Sequence, residues 1–245
     1  MNATSGLVFV SVIVPASNEE RLLPRTLERI TEAFDAAKGT CEWELIVCDN
    51  NSTDHTAALA TGAGARVVFE PVSQISRARN RGASAARGNW LLFIDADSYP
   101  SPDLIADVLD LIRGGRHVGC GSTLKVEGGP RWFRLAWVSK NPSMRLLRWC
   151  SGAFLLCEAS AFRELGGFST ELYAFEEADF VRRLKRYGRP RGKVFAILYR
   201  HPFVTSGRKG DLGFLSWLRT VGVLWLSPKR SLRDLKRLDK WYHRR

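Results

Sequence analysis

Short apolar segments alternate with longer amphipathic segments across the first half of this 245-residue chain. The short segments are rich in β-branched and aromatic residues, as strands are, whereas the longer ones repeat an apolar residue every three or four positions, as helices do. This alternation predicts an α/β fold, with a mainly parallel sheet flanked by helices. The predicted strands cover residues 8–14, 43–48, 65–69, 90–95 and 117–125, and the predicted helices cover residues 22–36, 54–61, 74–86 and 104–113.

Composition excludes several classes of protein. With 45% hydrophobic and 25% charged residues, the chain can bury one sizeable core and is unlike a disordered segment. Its five cysteines are odd in number and include no C-x-x-C pair, so neither a disulfide framework nor a zinc cluster is predicted, and a reducing compartment fits best. The apolar run at residues 7–16 has no basic residue before it, and we interpret it as the first strand rather than a signal peptide.

The net charge of +12 is concentrated in the last quarter of the chain. Residues 182–245 contain 19 Lys and Arg against 3 Asp and Glu, whereas residues 1–181 contain 18 against 22. Such a basic segment predicts a polyanionic partner, which could be a membrane surface, a diphosphate or a nucleic acid. The sequence therefore predicts an α/β domain over residues 1–210 and a basic amphipathic helical tail over residues 211–245.

The predicted tail contains an apolar segment, Leu212 to Leu226, that is too short to cross a bilayer and has Arg219 near its middle. Apolar residues recur in it at helical spacing, and eight cations follow between residues 229 and 245. This pattern predicts a cytoplasmic protein with a peripheral contact at the cytoplasmic face of a membrane. The alternative is that the apolar segment packs on the preceding domain and that the charges form a solvated face.

Polar residues follow three of the predicted strands, at residues 15–20, 49–54 and 95–97. Ligands of open α/β sheets bind beyond the carboxyl ends of the strands, so these residues are candidate ligand contacts. No G-x-G-x-x-G follows the first strand and no G-x-x-x-x-G-K-[ST] occurs in the chain, which disfavours a dinucleotide-binding dehydrogenase and a P-loop NTPase.

Asp95 and Asp97 are the most specific of these candidates. Two carboxylates at the end of an apolar strand supply the hard oxygen ligands that Mg²⁺ or Mn²⁺ needs when it binds a diphosphate. The alternative is that they form an N-cap or an Asx-turn before the helix that begins near Ser101, and Asp49 has a similar alternative as a turn residue before a capped helix.

Six short motifs follow one another across residues 8–190. They are Val-Ile-Val-Pro at 12–15 with Asn18 and Glu19, the run at 44–54, Ala-Arg-Asn-Arg-Gly at 78–82 with 86–88, the run at 92–97, Gly152 with Gly-Gly-Phe at 166–168, and Glu-Glu-Ala-Asp at 176–179. With these motifs the chain resembles the family 2 glycosyltransferases of the GT-A fold. The resemblance implies an enzyme that moves a sugar from a nucleotide-diphosphate-sugar donor to an acceptor hydroxyl with inversion.

The resemblance also implies a donor site. Asp97 would bind a Mn²⁺ or Mg²⁺ ion that bridges the diphosphate of the donor, with a UDP-sugar favoured and a GDP-sugar as the second candidate. The acceptor would be a saccharide or a lipid-linked molecule, in cell-envelope polysaccharide or glycolipid synthesis, and no nucleic-acid partner is expected. The other donor-binding positions would be Pro15, Glu19 and Asp49 in the nucleoside pocket, with Asp49 on the base, Arg79 near the nucleotide and Asp95 near the ribose.

An inverting transfer needs a general base near the acceptor hydroxyl. In the family this base is usually the Asp of a Glu-Asp pair that opens a helix, and the pair aligns with Glu176 and Glu177. The resemblance therefore implies Glu177 as the base, with Glu176 and Asp179 as weaker candidates. The alternative is that these acidic residues only complement the helix dipole.

Two further residues downstream are candidate ligands by the same resemblance. His201 would be a second metal ligand and Arg208 a phosphate contact, while the alternative for His201 is a hydrogen-bonded loop residue. Two other functions stay open from the residues alone. One is a nucleotidyltransferase, although residues 16–20 are acidic where such enzymes usually have a Gly-rich basic loop, and the other is a nucleic-acid-binding module built on the basic quarter.

Overall fold

A computed structural model describes residues 8–208, which form a mixed sheet with helices packed around it. The strands are β1 (Phe9–Ala16), β2 (Glu42–Asp49), β3 (Arg66–Phe69), β4 (Trp90–Ile94), β5 (Ser98–Tyr99), β6 (His117–Glu127), β7 (Phe154–Glu158) and β8 (Val194–Ser206). The α-helices are α1 (Leu23–Asp35), α2 (Thr56–Gly62), α3 (Ile75–Ser84), α4 (Pro102–Arg113), α5 (Arg131–Val138), α6 (Asn141–Leu147), α7 (Ala159–Glu164) and α8 (Glu176–Gly188). The predicted α/β fold is confirmed, because every predicted strand and helix of the first 125 residues is present.

Half of the sheet is parallel. Its strand order is β3-β2-β1-β4-β7-β6-β8-β5, and the first four strands all run in one direction. Ile13 of β1 pairs with Ile46 of β2 on one side and with Phe93 of β4 on the other, and all three are fully buried. Near-continuous burial of this kind is typical of parallel strands covered by helices on both faces. The register places Ala16 beside Asp49 at the carboxyl edge.

The other half of the sheet is mixed. Strand β7 runs antiparallel to β4 and to β6, while β8 runs parallel to β6 and antiparallel to β5. The long strand β8 was not among the predicted strands. Its pairing with β6 is interrupted where residues 199–202 stand opposite Thr123, and Tyr199 and Arg200 are exposed there, so the sequence lacks the alternation of a regular strand.

An aromatic cluster fixes α7 and α8 against the sheet. The ring of Phe93 in β4 lies 5.4 Å from that of Phe162 in α7 and 5.0 Å from that of Phe168, and Phe180 in α8 lies 4.8 Å from Phe168. All four side chains are buried. Because such contacts are both apolar and geometrically specific, they set where α8 begins relative to the carboxyl edge of β4.

No helix within residues 8–208 is long and apolar enough to cross a membrane. The predicted tail over residues 211–245, including its apolar segment, lies outside the residues that the structure describes. The boundary predicted at residue 210 therefore stays a prediction.

Candidate active site

Buried charges gather at the carboxyl edge of β1, β2 and β4. Within residues 8–208, the charged side chains of the buried class are those of Glu19, Asp49, Arg79, Asp97 and Glu176. Burying a charge is costly unless it is paired, so a cluster of this kind marks a site that the fold maintains against its own stability. All five residues are among the site residues predicted from the sequence.

Two polar turns form one wall of the site. Asn18 and Asn51 have left-handed backbone conformations, with φ angles of 53° and 61°, which asparagine tolerates better than most residues. The Asn18 side-chain oxygen accepts a hydrogen bond from the Thr53 amide at 2.8 Å, and the Asn50 amide donates to the Ala16 carbonyl at 2.7 Å. The turns after β1 and β2 are thus joined.

Pro15, Glu19 and Asp49 lie in or beside this wall. Pro15 is the next-to-last residue of β1, where its neighbour across the sheet is Cys48. The Glu19 amide donates to the Thr56 hydroxyl at 2.8 Å. The Asp49 carboxylate accepts a hydrogen bond from the Ser52 amide at 3.1 Å, so it does form the turn that was its structural alternative. This contact leaves Asp49 at the carboxyl end of β2, where a ligand would approach.

Arg79 occupies the centre of the site. Its guanidinium donates to Asp95 Oδ1 at 2.9 Å and to Glu176 Oε1 at 2.7 Å, and thereby joins the end of β4 to the start of α8. Gly152 lies directly against it, since a Cβ atom at Gly152 would come within 2.4 Å of Arg79 Nη2. Burial would lower the pKa of Arg79, but the carboxylates of Asp95 and Glu176 outweigh that effect and raise it. Arg79 is therefore a permanent buried cation that two carboxylates hold in place.

Glu177 follows directly in α8. The residue before the helix, Phe175, has a left-handed backbone with φ of 61°, and this turn sets the direction in which α8 begins. Burial, followed by repulsion from the Glu176 carboxylate, raises the pKa of Glu177 from 4.5 to about 8. A carboxyl group with this pKa can accept or release a proton near neutral pH, as a general base must. Asp179 instead pairs with Arg182 and Arg183 on the surface of α8.

A second arginine bridges the carboxylates of the donor side. Arg208, which follows β8, donates to both oxygens of Glu19 at 2.7 and 2.5 Å and lies 3.1 Å from Asp97 Oδ2. The helix-capping alternative for Asp97 does not hold, because Ser101 caps α4 by accepting a hydrogen bond from the Leu104 amide. Arg208 and Asp97 are thus brought together, as a phosphate contact and a metal ligand would be.

The structure does not bring His201 to this cluster. Its Nδ1 atom lies 3.0 Å from Asp107 Oδ2 and its Nε2 atom 4.0 Å from Asp103 Oδ2, both on α4. Ser206, whose amide bonds to the Asp97 carbonyl, is five residues further along β8. The physical reason is the interrupted register of β8, which turns the imidazole towards α4. In the described part of the chain, no three His, Cys, Asp or Glu residues are grouped so as to hold a metal ion by themselves.

Sequence reasoning gave no role to the polar residues that join the donor wall to α8. The Asn50 side chain accepts a hydrogen bond from the Gln74 amide at 3.0 Å, and the Gln74 side chain donates to the carbonyls of Thr170 and Leu172 at 2.9 and 3.1 Å. Asn80 also accepts from and donates to the backbone of Phe168. The contacts with residues 168–172 cross 88 to 98 residues of chain, and no local signal could have revealed them.

The comparisons with known proteins identify the family. Residues 11–165 match the model of the family described as glycosyl transferase family 2. The chain belongs to glycosyl transferase family 2. This assignment confirms the predicted resemblance, and it favours the transferase prediction over the nucleotidyltransferase and nucleic-acid-binding alternatives.

Curated relatives match parts of the chain. It is 36% identical over 119 residues to an uncharacterized glycosyltransferase of Mycobacterium tuberculosis, which covers 46% of this chain and 50% of that protein. It is 29% identical over 147 residues to the dolichol-phosphate mannosyltransferase of Pyrococcus furiosus, covering 55% and 39% respectively. The chain thus spans half or less of the length of these curated relatives.

Solved structures share the fold. The crystal structure of glucosyl-3-phosphoglycerate synthase from M. tuberculosis with Mn²⁺, UDP and phosphoglyceric acid matches with a TM-score of 0.59 at 23% identity, covering 91% of this chain and 80% of that one. Residues 1–349 of S. aureus TarS match with a TM-score of 0.61 at 18% identity, covering 91% and 66%. The family 2 chain therefore has the predicted GT-A fold.

Proposed function

We propose that this family 2 chain transfers a sugar from a nucleoside-diphosphate-sugar donor to an acceptor hydroxyl with inversion at the anomeric carbon. The observation that carries the proposal is the cluster of four buried carboxylates at one sheet edge, three of which pair with Arg79 or Arg208. On the acceptor side of the proposed site, Arg79 forms an ion pair with Glu176. On the donor side, Arg208 forms ion pairs with Glu19 and Asp97. The donor half and the acceptor half of the proposed transferase site thus lie at the same edge of the sheet.

Glu177 is the general base of the proposed reaction. Its carboxylate takes the proton of the acceptor hydroxyl as the hydroxyl oxygen forms its bond to the anomeric carbon. The bond from that carbon to the diphosphate breaks on the opposite face, and the nucleoside diphosphate leaves. Because the raised pKa makes the Glu177 carboxylate a stronger base than an ordinary glutamate, it suits proton removal from a weakly acidic hydroxyl.

The residues present fit a divalent metal ion that is shared with the donor. Glu19 and Asp97 already share one cation, the Arg208 guanidinium, and their oxygens are the hard ligands that Mg²⁺ and Mn²⁺ prefer. Such ions are commonly held by one or two carboxylates plus substrate phosphates, which agrees with a site that lacks a full set of protein ligands. Asp97 would hold the ion, which when bound stabilises negative charge on the leaving diphosphate.

Arg208 and the nucleoside wall complete the donor site. When a diphosphate and its metal ion approach Asp97, the Arg208 guanidinium is free to exchange a carboxylate partner for a phosphate oxygen, to which it binds equally well. A UDP-sugar is the favoured donor, since the glucosyl-3-phosphoglycerate synthase structure contains UDP and Mn²⁺. A lipid-linked acceptor is supported by the similarity to a dolichol-phosphate mannosyltransferase. We infer that residues 211–245 bring the enzyme to the membrane that carries such an acceptor.

Thermal shift with UDP, GDP, dTDP and CMP, each with and without Mn²⁺, tests the donor site. One nucleoside diphosphate should raise the melting temperature by several degrees with Mn²⁺ and by less without it, because a ligand of the native state stabilises it by mass action. Asp97→Asn should abolish the part of the melting-temperature rise that depends on Mn²⁺. Asp110→Asn, a change at an exposed aspartate of α4, should retain that part. A full Mn²⁺-dependent shift in Asp97→Asn would show that the ion binds elsewhere.

A further inference from the structure

The helices α5 and α6 carry an exposed surface that the transferase chemistry does not use. Four large apolar side chains on them are exposed, with exposed fractions of 72% for Leu135, 41% for Val138, 83% for Leu146 and 63% for Leu147. On α5 the exposed residues Arg131, Arg134, Leu135 and Val138 follow the spacing i, i+3, i+4, i+7, so they form one stripe of the helix.

The opposite faces of these helices are firmly attached to the domain. Phe133 of α5 and Met144 of α6 are buried in the core. The Asn141 side chain accepts a hydrogen bond from the Leu124 amide at 3.0 Å and donates to the Leu124 carbonyl at 2.9 Å, which fixes α6 to β6. The exposed apolar side chains are therefore presented by a fixed scaffold and do not belong to a loosely packed segment.

The charges of this surface are all positive. Residues 128–149 contain five Lys and Arg and no Asp or Glu. Some arginines elsewhere in the domain, such as Arg25, Arg66 and Arg191, form ion pairs with carboxylates. Four arginines of this surface are exposed, namely Arg131, Arg134, Arg145 and Arg148. Within residues 8–208, none of these four forms an ion pair with a carboxylate. The Arg145 guanidinium instead lies 4.1 Å from the ring centroid of the exposed Tyr199.

We propose that this α5–α6 surface binds an anionic lipid bilayer. Unpaired arginines attract phosphate headgroups, and exposed leucines beside them can enter the headgroup and acyl boundary, a combination that a nucleic acid would not use. Binding through the domain goes beyond the membrane contact proposed for residues 211–245, and it provides the second signal that stable membrane attachment usually needs.

The course of the chain agrees with this assignment. The Gly207 amide donates to the Glu127 carbonyl at 2.8 Å, so the described chain ends beside the segment that leads into α5. The following residues 209–245 contain 10 Lys and Arg against 3 Asp and Glu. Like charges disfavour packing of that basic segment on the basic α5–α6 surface, whereas both can face one anionic bilayer. At the other end, α6 leads through Cys150 to Gly152, which contacts Arg79, so the surface borders the active site.

Flotation of the full chain with vesicles tests the proposal. The probes are vesicles of phosphatidylcholine that contain phosphatidylglycerol, and vesicles of phosphatidylcholine alone, each at low and high salt. Arg131→Glu with Arg134→Glu should lower the partition coefficient on anionic vesicles at least tenfold, and Leu146→Ser with Leu147→Ser at least threefold. The matched control is Arg87→Glu with Arg116→Glu, which changes the charge equally at exposed positions before β4 and β6, on the opposite sheet edge, and should stay within twofold of the wild type.

Several outcomes would overturn the proposal. Equal binding of the wild type to neutral vesicles, or no binding to anionic ones, excludes an anionic bilayer as the partner. Equal losses of vesicle binding in the surface and control variants would show that binding depends on the net charge of the protein alone. Unchanged flotation with a lowered melting temperature in Leu146→Ser with Leu147→Ser shows that residues 209–245 cover this surface instead. Flotation needs neither donor nor turnover, so its failure is separate from a failure of the proposed transferase function.

Discussion

Arg79 determines the electrostatics of the active site at the scale of single residues. One buried guanidinium faces Asp95 and Glu176, with Glu177 next in the chain, so three carboxyl groups depend on one cation. Removing one partner of a buried ion pair usually costs far more than the pair contributes, because the remaining charges stay buried without compensation. Arg79 is for this reason a positioning residue of the proposed reaction.

Substitution of Arg79 should therefore be severe. We expect Arg79→Ala to lower the free energy of unfolding by about 3–5 kcal/mol. Arg113→Ala, which removes an exposed pair with Asp110, should cost less than about 1 kcal/mol. Urea denaturation monitored by circular dichroism measures both. A loss in Arg79→Ala no larger than in the control would mean that solvent reaches the site and compensates its charges.

The sequence predicted which charged residues form the site, but it did not predict which of them pair with one another. The ordered motifs pointed to all five of the buried charged residues, because these residues lie in short characteristic runs at the ends of β1, β2 and β4, within α3 and at the start of α8. The partners of Arg79 lie 16 and 97 residues away, so its place between Asp95 and Glu176 depends on how the fold brings α3, the end of β4 and the start of α8 together. The expected meeting of His201 with Asp97 failed for the same reason, since it required the register of β8.

At the scale of elements, the loop before α8 is held by α3. Asn80 of α3 makes two hydrogen bonds of 2.9 Å with the backbone of Phe168. Gly166 and Gly167, just before it, both have left-handed backbones with φ of 70°. A Cβ atom at Gly167 would come within 2.6 Å of Asn80 Oδ1, whereas one at Gly166 would meet nothing within 4 Å. Substitutions at these two glycines therefore distinguish the cost of a strained backbone from the cost of a steric conflict.

This pair gives a matched prediction. Gly166→Ala should destabilise the domain by about 1 kcal/mol, the cost of a left-handed alanine. Gly167→Ala carries the same backbone cost and also disrupts the Asn80 contact, so it should destabilise by about 1–3 kcal/mol more. Urea titrations of the two variants measure the difference. Equal losses would show that the Asn80 side chain moves away without cost and does not hold the loop.

Prediction of the elements succeeded where the local signal was strong. The first 125 residues show strict alternation of apolar strands and amphipathic helices, and each predicted element there lies within two residues of the observed one. Strand β5 is only two residues long, and β8 is interrupted opposite Thr123, so their pairing depends on long-range contacts. Residues 131–147 form two short helices, α5 and α6, joined near Lys140.

At the scale of the whole molecule, the site reduces stability in a pH-dependent way. Glu177 has a pKa of about 8 in the folded chain and about 4.5 when unfolded, so the folded state holds a proton that the unfolded state releases between these values. The free energy of unfolding therefore falls as pH rises through this interval and levels off above it. Below about pH 4 both states hold the proton and the group has no effect.

Glu177→Gln should remove this dependence. The variant should be more stable than the wild type by at least about 1 kcal/mol at pH 8, or roughly 2–4 °C in melting temperature, with the advantage shrinking towards pH 5. Thermal unfolding across this pH range measures it. A variant that is less stable than the wild type at pH 8, with the deficit shrinking on acidification, would mean that the Glu177 carboxylate is ionised and paired in the folded chain.

The most direct test of the account is the single-turnover rate of Glu177→Gln, with the donor and metal ion that stabilise the wild type. The amide keeps the shape of the side chain but cannot accept a proton. The rate should fall by roughly 10²- to 10⁴-fold with donor affinity unchanged, and the rise of the wild-type rate with pH should disappear. A rate within tenfold of the wild type that still rises with pH would contradict Glu177 as the base of an inverting transfer.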